Sequence, residues 1–509
     1  MAVAQLKCQP LPFFPCMLLL NWSMQGKKSY QEKLFMQFSL SDHIPEDNFY
    51  RRLKSTLDFS YLYRSTSKYY GKEGQKSIDP IVFMKLMLVG YLENQVSDRR
   101  IIATSRMRLD ILYFLGYDID EELPWHSTLS RTRQLYGEDE FLILFKQVLK
   151  QCIDNGLVSG RRQAVDSVFV KANAAMSSMV ERDILADAGI YAQELKAAEE
   201  NMAGTPAVSK DEKIKNTQAV ATVKATNKTH VSKSDPDAGM SVKPGKITKL
   251  NYLSQVSVDT ASHVITNIQA FHADKGDSQC FKQVLDNTIK NLKKNGLTIS
   301  EILADTAYSS GNVLEALAAN NIEGYIPNPC GYRIEREGFI YEKEHDRYCC
   351  PQGAYLTLRR IRTDRGRPLK IYRSSVKDCR QCPLAKSCTG STGIKSIEDS
   401  VSKALNDQMH QRMQSKKGRR MARLRGSTVE PVLGTLINFA GMKQVYTKGI
   451  KLANKCMIMA SIAYNLKKLM KVMAHPRIKA PVLQQKSKQL LRFPFTSAKY
   501  SFIDSYTAQ

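Results

Sequence analysis

A short apolar run that ends in one acid constrains this chain most. Residues Ile302–Gly311 read ILADTAYSSG, so apolar residues lead to Asp305 and small turn-forming residues follow it. Helical spacing resumes at Asn312–Asn320, which predicts a strand that ends in a carboxylate and turns into a helix. Ligand sites in open α/β sheets lie at the carboxyl ends of strands. For this stretch alone, an aspartate that only caps the following helix is an equal alternative.

A second acid lies inside a strand-like segment. Residues Gln163–Val170 read QAVDSVFV, where β-branched residues and Phe surround Asp166 and predict a central strand. A carboxylate inside a buried strand is costly unless it is paired or binds a metal, so we interpret Asp166 as functional. A third acid, Glu430, lies in a late helical segment, three residues after Ser427. For Glu430 the alternative is a capping box at the start of that helix.

Three carboxylates in one site need cations, because their like charges repel each other strongly. Oxygen ligands suit Mg²⁺ or Mn²⁺. In a two-ion site one ion activates an attacking water or 3′-hydroxyl, and the other stabilises the leaving oxygen. The chain carries 75 Lys and Arg against 49 Asp and Glu, a formal net charge of +26. This excess favours nucleic acid as a partner, ahead of an anionic membrane, so we expect metal-dependent chemistry on a phosphodiester.

The amino-terminal part divides into two segments. Residues 1–24 form a short apolar stretch with prolines, which we interpret as a disordered extension; a signal peptide is the alternative. Residues 25–157 predict an all-α module in which Arg131 and Arg133 follow the start of one helix. A helix-turn-helix that contacts DNA through these arginines and a plain helical bundle both fit this pattern.

The order of strands and helices after this module predicts an α/β fold. Three early strands followed by alternating helix and strand give a mixed sheet with flanking helices, an order that matches a ribonuclease H-like core. The predicted segments are a catalytic core at 158–173 and 250–330, a helical and basic insertion at 174–249, a cysteine-rich insertion at 331–399, a helical part of the core with the glutamate at 400–473, and a basic tail at 474–509.

The cysteines are concentrated in one segment. Five of the eleven fall within Cys349–Cys388, which fits a reduced protein with one local metal site better than a disulfide framework. Four thiolates suit tetrahedral Zn²⁺. In a short basic segment that is poor in apolar residues, a metal can replace a core. Free thiols or a redox pair are the alternatives. The predicted zinc knuckle consists of Cys350 (or Cys349), Cys379, Cys382 and Cys388.

Several motifs together resemble the DDE transposases of bacterial insertion sequences, in the branch with an InsH-type amino-terminal domain. The resemblance runs over about residues 40–470. It implies that Asp166, Asp305 and Glu430 are the catalytic triad and bind two Mg²⁺ or Mn²⁺ ions. The motifs are VDSVFVKANA (Val165–Ala174), SDPDAG (Ser234–Gly239), LADTAYSSG (Leu303–Gly311), the CPQG and DCRQCPLAKSC cysteine segments, and TVEPVLG (Thr428–Gly434).

Many relatives carry the glutamate in a Tyr-x2-Arg-x3-Glu-x6-Lys signature, from which this chain departs. The Tyr position is Arg423, the Arg position is Gly426, and the Lys position is Ile437. We therefore expect the grip on DNA to come from Arg423, Arg425 and Lys443.

The resemblance also implies a function and a setting. It implies a bacterial, cytoplasmic, nucleoid-associated enzyme with no membrane partner. As a homodimer, such an enzyme binds double-stranded DNA at the terminal repeats and in the target, cleaves the element ends and joins their 3′-hydroxyls to the target. A catalytically inactive DNA-binding descendant of a transposase and a metal-dependent nuclease with the same core are the alternatives.

Overall fold

The computed structural model describes residues 38–71, 73, 77–182, 225–242, 247–336, 338–364 and 367–474. The predicted extension at 1–24, nearly all of the basic tail and most of the basic insertion lie outside these ranges. Within them, no helix combines the length and the apolar character that a membrane crossing needs.

Helices form the amino-terminal module, as predicted. The helix α4 is apolar and almost wholly buried. It begins where Asp79 accepts hydrogen bonds from the backbone N–H groups of Ile81 (2.6 Å) and Val82 (3.3 Å), and Pro80 fills the first helical position, which needs no N–H partner. The described helices of this module are α1 (Leu40–His43), α2 (Phe49–Thr56), α3 (Tyr61–Thr66), α4 (Pro80–Leu92), α5 (Asp98–Arg106), α6 (Leu109–Leu115), α7 (His126–Leu135) and α8 (Glu138–Asp154).

A six-stranded mixed sheet follows, with β1 at its centre. The strand β1 runs antiparallel to β5 and parallel to β7, while β7 runs parallel to β8. On the other side, β5 pairs antiparallel with both β4 and β6. The strands β2 and β3 form a separate antiparallel pair. The strands are β1 (Arg162–Lys171), β2 (Met179–Glu181), β3 (His230–Ser232), β4 (Gly239–Ser241), β5 (Lys249–Asp259), β6 (Ile265–His272), β7 (Glu301–Leu303) and β8 (Glu323–Tyr325).

One predicted helix begins differently in the structure. Within the predicted insertion at 174–249, mixed acidic and basic residues predict a helix at 174–202, but a single 3-10 turn leads into β2 instead. Backbone pairing with β3, which lies far along the chain, overrides the local helical preference there. The rest of that predicted helix lies outside the described residues.

Two helices cover one face of the sheet. The helix α9 (Asp277–Lys293) and the helix α10 (Gly311–Ala319) pack against a second apolar cluster that includes Phe281 and Leu317. Apolar residues at helical spacing on α9 face this cluster. The face of the sheet that carries α9 and α10 is therefore buried.

The cysteine-rich insertion forms a sheet of its own, where the sequence predicted a small zinc knuckle. Its five antiparallel strands lie in the order β13-β12-β11-β10-β9. Aromatic and aliphatic residues from these strands and the chain before them make a small core, so this segment does not rely on a metal alone for its packing. The core residues are Phe339, Tyr348, Leu356, Tyr372 and Ile397. The elements are β9 (Ile340–Glu342), β10 (Arg347–Cys349), β11 (Tyr355–Asp364), β12 (Arg367–Arg373), α11 (Val376–Arg380), α12 (Ala385–Thr389) and β13 (Ser396–Ser400).

Three helices complete the described chain: α13 (Lys403–Gln414), α14 (Lys416–Phe439) and α15 (Ile450–Ala474). Ser415 caps the start of α14, where its hydroxyl accepts a hydrogen bond from the Gly418 N–H (2.9 Å). The helix continues through Ser427, which donates to the Leu424 carbonyl (3.1 Å). Ser427 therefore caps no helix, and the capping-box alternative for Glu430 is wrong.

The helix α15 ties the helical module to the sheet. It packs against α4 and α8 on one side and β6 on the other. Asn465 accepts from the Ile265 N–H and donates to the Ile265 carbonyl (both 2.9 Å), and Asn454 accepts from the Ala270 N–H (2.9 Å). These side chains satisfy backbone groups of an edge strand, which otherwise invites pairing with another chain.

Candidate active site

Asp166 lies in the middle of the central strand β1, and its side chain is 16% exposed. Burial raises its pKa to about 6, although a hydrogen bond from the Ser167 N–H (2.8 Å) and the charge of Arg425 oppose the rise. The negative charges of Asp305 and Asp277 raise the pKa further. The carboxylate thus lies where other acids are close and solvent is largely excluded.

Asp305 lies near Asp166, at the carboxyl end of the neighbouring parallel strand. Ala164 pairs with Leu303, the last residue of β7, and Asp305 follows two residues later, close enough that its charge raises the pKa of Asp166. Asp305 also accepts a hydrogen bond from the Ala307 N–H (3.0 Å) and caps a short 3-10 turn. The capping role and the shared position with Asp166 are therefore compatible, since the cap occupies one carboxylate oxygen.

Glu430 reaches this region from α14, which packs on β1. Arg425, on the same helix, donates to Asp166 Oδ2 (2.7 Å) and, more weakly, to Glu430 Oε1 (3.5 Å). The Glu430 side chain is 69% exposed, whereas that of Arg425 is 20% exposed. Gly426 leaves room for this arrangement, because a Cβ there would lie 3.2 Å from Glu430 Oε1. One guanidinium thus joins two of the three predicted acids.

The donor set fits divalent cations in its chemistry. Carboxylate oxygens are the ligands that Mg²⁺ and Mn²⁺ prefer, and a positive charge already stands between Asp166 and Glu430 in the form of Arg425. In the described ranges, no group of three or more His, Cys, Asp or Glu side chains is arranged to hold a metal ion. Metal binding by the triad would therefore require Arg425 to leave the carboxylates.

Sequence reasoning missed two groups near the acids. Tyr308 is fully buried, and its hydroxyl has no hydrogen-bond partner among the described residues. Burial and the charges of Asp277, Asp166 and Asp305 raise its pKa well above the usual value. Asp277 opens α9 and accepts a hydrogen bond from Gln255 (3.1 Å). The only sequence signal was that Tyr308 belongs to the same motif as Asp305.

The predicted DNA-binding residues divide into exposed and buried ones. Arg131, Arg423 and Lys443 are exposed. Arg133 is buried and paired with Asp98, and its carbonyl accepts a hydrogen bond from Lys455 (3.0 Å). Its predicted role as a DNA contact is therefore corrected: Arg133 faces α5 and α15 inside the protein. Two residues along a helix separate faces by roughly 200°, so Arg131 and Arg133 point in opposite directions.

The four cysteines predicted to bind zinc line a single cavity. Cys350, Cys379, Cys382 and Cys388 share it with core residues of the insertion sheet, and Cys349 is not part of its lining. The Cys379 thiol donates to Ser374 Oγ (3.0 Å), and the described cysteines form no disulfide. The four cysteine side chains surround one cavity, but among the described residues they are not arranged to coordinate a metal ion.

Two family models match the chain. A transposase domain (DUF772) matches residues 38–135, which hold most of the helical module. A transposase DDE domain matches residues 349–470, a range that contains Glu430, Arg425 and the four cavity cysteines but neither Asp166 nor Asp305. No curated protein sequence matches the chain.

Similar solved structures include the Mos1 transposase paired-end complex with left transposon end, the Mos1 mariner paired-end complex with Mn, and the piggyBac transposase synaptic complex with hairpin DNA. Their identities are 10%, 11% and 11%, with TM-scores of 0.16, 0.15 and 0.25. The alignments cover 52%, 52% and 86% of this chain and 63%, 64% and 82% of the others. The chain thus spans less than two thirds of either Mos1 chain, and TM-scores this low carry no conclusion about the fold. The two family matches thus assign a transposase domain to the helical module and a transposase DDE domain to the segment with the cysteines and Glu430.

Proposed function

We propose that this protein is a DNA transposase that binds the ends of its element, cleaves phosphodiester bonds there and joins the 3′-hydroxyl ends to target DNA. The observation that carries the proposal is the proximity of Asp166, on β1, to Asp305, just beyond the end of the parallel strand β7, with Arg425 linking Asp166 to Glu430. The strand order β6-β5-β1-β7-β8, with β5 antiparallel and β7 parallel to β1, supports a ribonuclease H-like core.

Asp166, Asp305 and Glu430 are the residues proposed to hold two Mg²⁺ or Mn²⁺ ions. Such ions supply the Lewis acidity that activates a nucleophile and stabilises a leaving oxygen. With a pKa of about 6, Asp166 is mostly ionised at neutral pH and able to act as a ligand. Arg425 then leaves the acids, and its planar guanidinium suits a phosphate of the bound DNA. The positive charge of the metal ions thus replaces that of Arg425 beside the carboxylates when the site binds metal.

Cleavage of DNA that carries the repeats flanking the gene tests the proposal. In Mg²⁺, Asp166→Asn, Asp305→Asn and Glu430→Gln should each reduce cleavage to background and leave DNA binding nearly intact, because each removes a metal ligand. Asp286→Asn, an exposed acid on α9, is the matched control. Near wild-type cleavage by any triad variant would remove that residue from the site.

The same assay separates the alternatives. An inactive descendant of a transposase binds the repeats but yields no metal-dependent cleavage. A nuclease cleaves the DNA but yields no product joined to a target duplex. Joined products in the wild type, lost in the three triad variants, are the result that the transposase proposal requires.

Arg131, Arg423 and Lys443 are the proposed DNA contacts, supported by their exposure and the net charge of +26. Arg131 lies near the start of α7 and donates to Ser127 (3.2 Å). If Arg131 reads a base, Arg131→Ala should reduce discrimination between repeat DNA and shuffled DNA by roughly 1–3 kcal/mol. Equal loss of affinity for both DNAs would make it a phosphate contact. Sedimentation of the protein with repeat DNA tests the homodimer that the family resemblance implies.

We also propose that Cys350, Cys379, Cys382 and Cys388 hold one structural Zn²⁺. Their shared cavity and their chemistry as soft sulfur donors support this. Elemental analysis should find about one equivalent of zinc, as a single four-thiolate site implies. Cys382→Ser should lose the metal and expose residues 345–395 to protease, whereas Cys330→Ser, at an exposed cysteine outside the cavity, should not. Zinc-free protein with a protease-resistant segment would contradict the proposal.

A further inference from the structure

The sequence motif SDPDAG (Ser234–Gly239) holds the start of α15. Asp235 is fully buried, and its carboxylate accepts a hydrogen bond from the Gly449 N–H (3.0 Å). Asp237 accepts one from the N–H of Ile450, the first residue of α15 (2.9 Å). Negative charge at a helix N-terminus is favourable. Two carboxylates from a distant segment therefore fix the point where the connection from α14 enters α15.

The connection itself, residues 441–449, is also held along its length, and we call it the pinned loop. The Val445 N–H donates to the carbonyl of Lys171, the last residue of β1 (2.9 Å). Asn173 donates to the Tyr446 carbonyl (3.0 Å). Surface loops are usually more mobile than the elements they connect, so a loop whose backbone is held at several positions keeps its side chains in place.

The pinned loop presents two lysines and a tyrosine to solvent. Lys443 and Lys448 are exposed, and neither forms an ion pair with another residue that the structure describes. The Tyr446 side chain is 54% exposed, although its backbone is fixed. The loop thus holds positive charge that no acid neutralises, together with an exposed aromatic ring.

A cleft of about 710 Å³ lies between the pinned loop and the helices α5 and α7. Arg99, the second residue of α5, is exposed and lines the cleft together with Lys448. Asp98 also lines it but is paired with Arg133, so the lining carries a net positive charge among the described residues. Its other polar side chains are hydroxyls and amides: Ser97, Ser130, Gln134, Asn173, Tyr446 and Thr447.

One face of α7 continues the cleft. Ser130 and Gln134 line the cleft and are neighbours on the helix surface, because they lie four residues apart. Arg131, a proposed DNA contact, lies three residues before Gln134 and shares this face. Lys443, another proposed contact, belongs to the pinned loop. The cleft therefore lies between two segments, from different parts of the chain, that each carry a proposed contact.

We propose that the pinned loop, the start of α5 and this face of α7 form one surface that binds the phosphate backbone of duplex DNA, with Arg99, Tyr446 and Lys448 as contacts at the cleft. Cationic, hydroxyl and amide side chains are the types that contact DNA phosphates, and two cations without acidic partners at one cleft attract a polyanion. The proposal rests on the proposed transposase function, which supplies the ligand. It adds that a single DNA segment contacts the helical module and the pinned loop at once.

The test measures affinity for a repeat-carrying duplex and a shuffled duplex across a salt series in EDTA. The double variant Arg99→Gln, Lys448→Gln should lower the slope of log affinity against log salt by about 2 units, since each phosphate contact contributes roughly 0.9. The change should be the same for both DNAs, because phosphate contacts carry no sequence information.

The matched control is the double variant Arg100→Gln, Lys451→Gln. Both residues are exposed, neither lines the cleft, and each lies within three residues of its counterpart. The control removes the same charge and should change the slope by less than about one unit. An unchanged melting temperature shows that both double variants are folded.

A third variant and a chemical probe locate the contacts. Tyr446→Phe should weaken binding of both DNAs by about two- to tenfold, as the loss of one hydrogen bond implies, with no change in slope because the hydroxyl carries no charge. Ethylation of single phosphates should block wild-type binding at particular positions. The positions that lose this interference in Arg99→Gln and in Lys448→Gln should lie within about one helical turn of each other, because both residues line one cleft.

Three results would overturn the proposal: an unchanged slope in the cleft variant, an equal change in the control variant, or an unchanged pattern of ethylation interference. The proposed function can fail separately. If wild type shows the predicted slopes in EDTA but never cleaves DNA in Mg²⁺, the transposase function fails and the surface stands. If wild type cleaves and joins DNA but the cleft variant keeps the full slope, the surface fails and the function stands.

Discussion

The strands β5 and β11 resemble each other in sequence and differ in surroundings. Each is long, antiparallel, and mixes apolar with polar residues: KLNYLSQVSVD in β5 and YLTLRRIRTD in β11. In β5 every residue after Lys249 is buried, whereas in β11 only Leu356 is. A strand sequence that mixes apolar and polar residues therefore does not determine whether the polar side chains contact solvent or protein.

The kind of polar residue explains the difference. The polar side chains of β5 are short, and three of them have hydrogen-bond partners inside: Asn251 donates to Ser241 (2.7 Å), Gln255 donates to Asp277 (3.1 Å), and Asp259 accepts from the Gly160 N–H (2.8 Å). Buried polar groups are tolerated when they are hydrogen-bonded in this way. The arginines of β11 would need buried carboxylates to compensate them. One strand therefore became scaffold for the acids, and the other stayed accessible to a partner.

The largest test of this contrast replaces one aliphatic residue in each strand. Leu253→Ala, at a position 2% exposed in the core, should lower the free energy of unfolding by about 2–5 kcal/mol. Ile361→Ala, at a position 58% exposed, should change it by less than about 0.5 kcal/mol. Denaturant titration measures both. Comparable losses in the free energy of unfolding would mean that Ile361 of β11 is covered in solution.

The pH dependence of stability should differ between an acid of the central sheet, Asp166, and an acid of the insertion sheet, Asp346. Burial raises the pKa of Asp166 to about 6, so the folded protein holds a proton that the unfolded chain releases near 3.8. Stability therefore falls as pH rises between those values. In EDTA, the free energy of unfolding of Asp166→Asn relative to that of wild type should therefore rise by up to about 3 kcal/mol between pH 4 and pH 7.

Asp346 on the insertion sheet should show the opposite sign. Burial alone would raise its pKa, but hydrogen bonds from Lys370, Tyr372 and Tyr341 together hold the pKa below its usual range. Its stabilising effect is present above the usual pKa and is lost as pH falls. Asp346→Asn should therefore be less stable than wild type at pH 7, with a difference that shrinks on acidification. The same slope for Asp166→Asn and Asp346→Asn would contradict both assignments.

The smallest predicted effect compares two arginines of α14, one placed against the buried sheet and one exposed like the arginines of β11. In EDTA, Arg425→Gln should destabilise the protein by about 1–2 kcal/mol, because Asp166 loses a charged hydrogen bond. Arg423→Gln should change stability by less than about 0.5 kcal/mol. Adding Mn²⁺ should shrink the Arg425 effect, since the cation takes over the same role. A loss of equal size in Mn²⁺ would show that Arg425 is structural and does not exchange with metal.

Local patterns in the sequence predicted many of the elements. The sequence predicts a helix at Leu109–Leu115, the bounds that α6 has, and a helix start at Ser77–Pro80, where α4 begins at the proline. The sequence predicts strands at Leu250–Val258 and Val264–Phe271, and the observed β5 and β6 differ from these bounds by one residue at each end. These features follow from short-range physics, namely side-chain periodicity, capping and proline geometry. The same short-range logic misplaced the start of α14, because Ser427 resembles a cap but packs within a longer helix.

In the candidate site, too, some features follow from the sequence and others only from the tertiary structure. The sequence by itself determined that Asp166 lies within a strand, that Asp305 follows one, and that the chain carries a large positive charge. Only the tertiary structure decided that these two acids lie near each other, that Arg425 pairs with Asp166, and that Arg133 is buried against Asp98. Strand register and helix docking depend on contacts between residues far apart in the chain, and no local pattern encodes which distant partner a polar side chain meets.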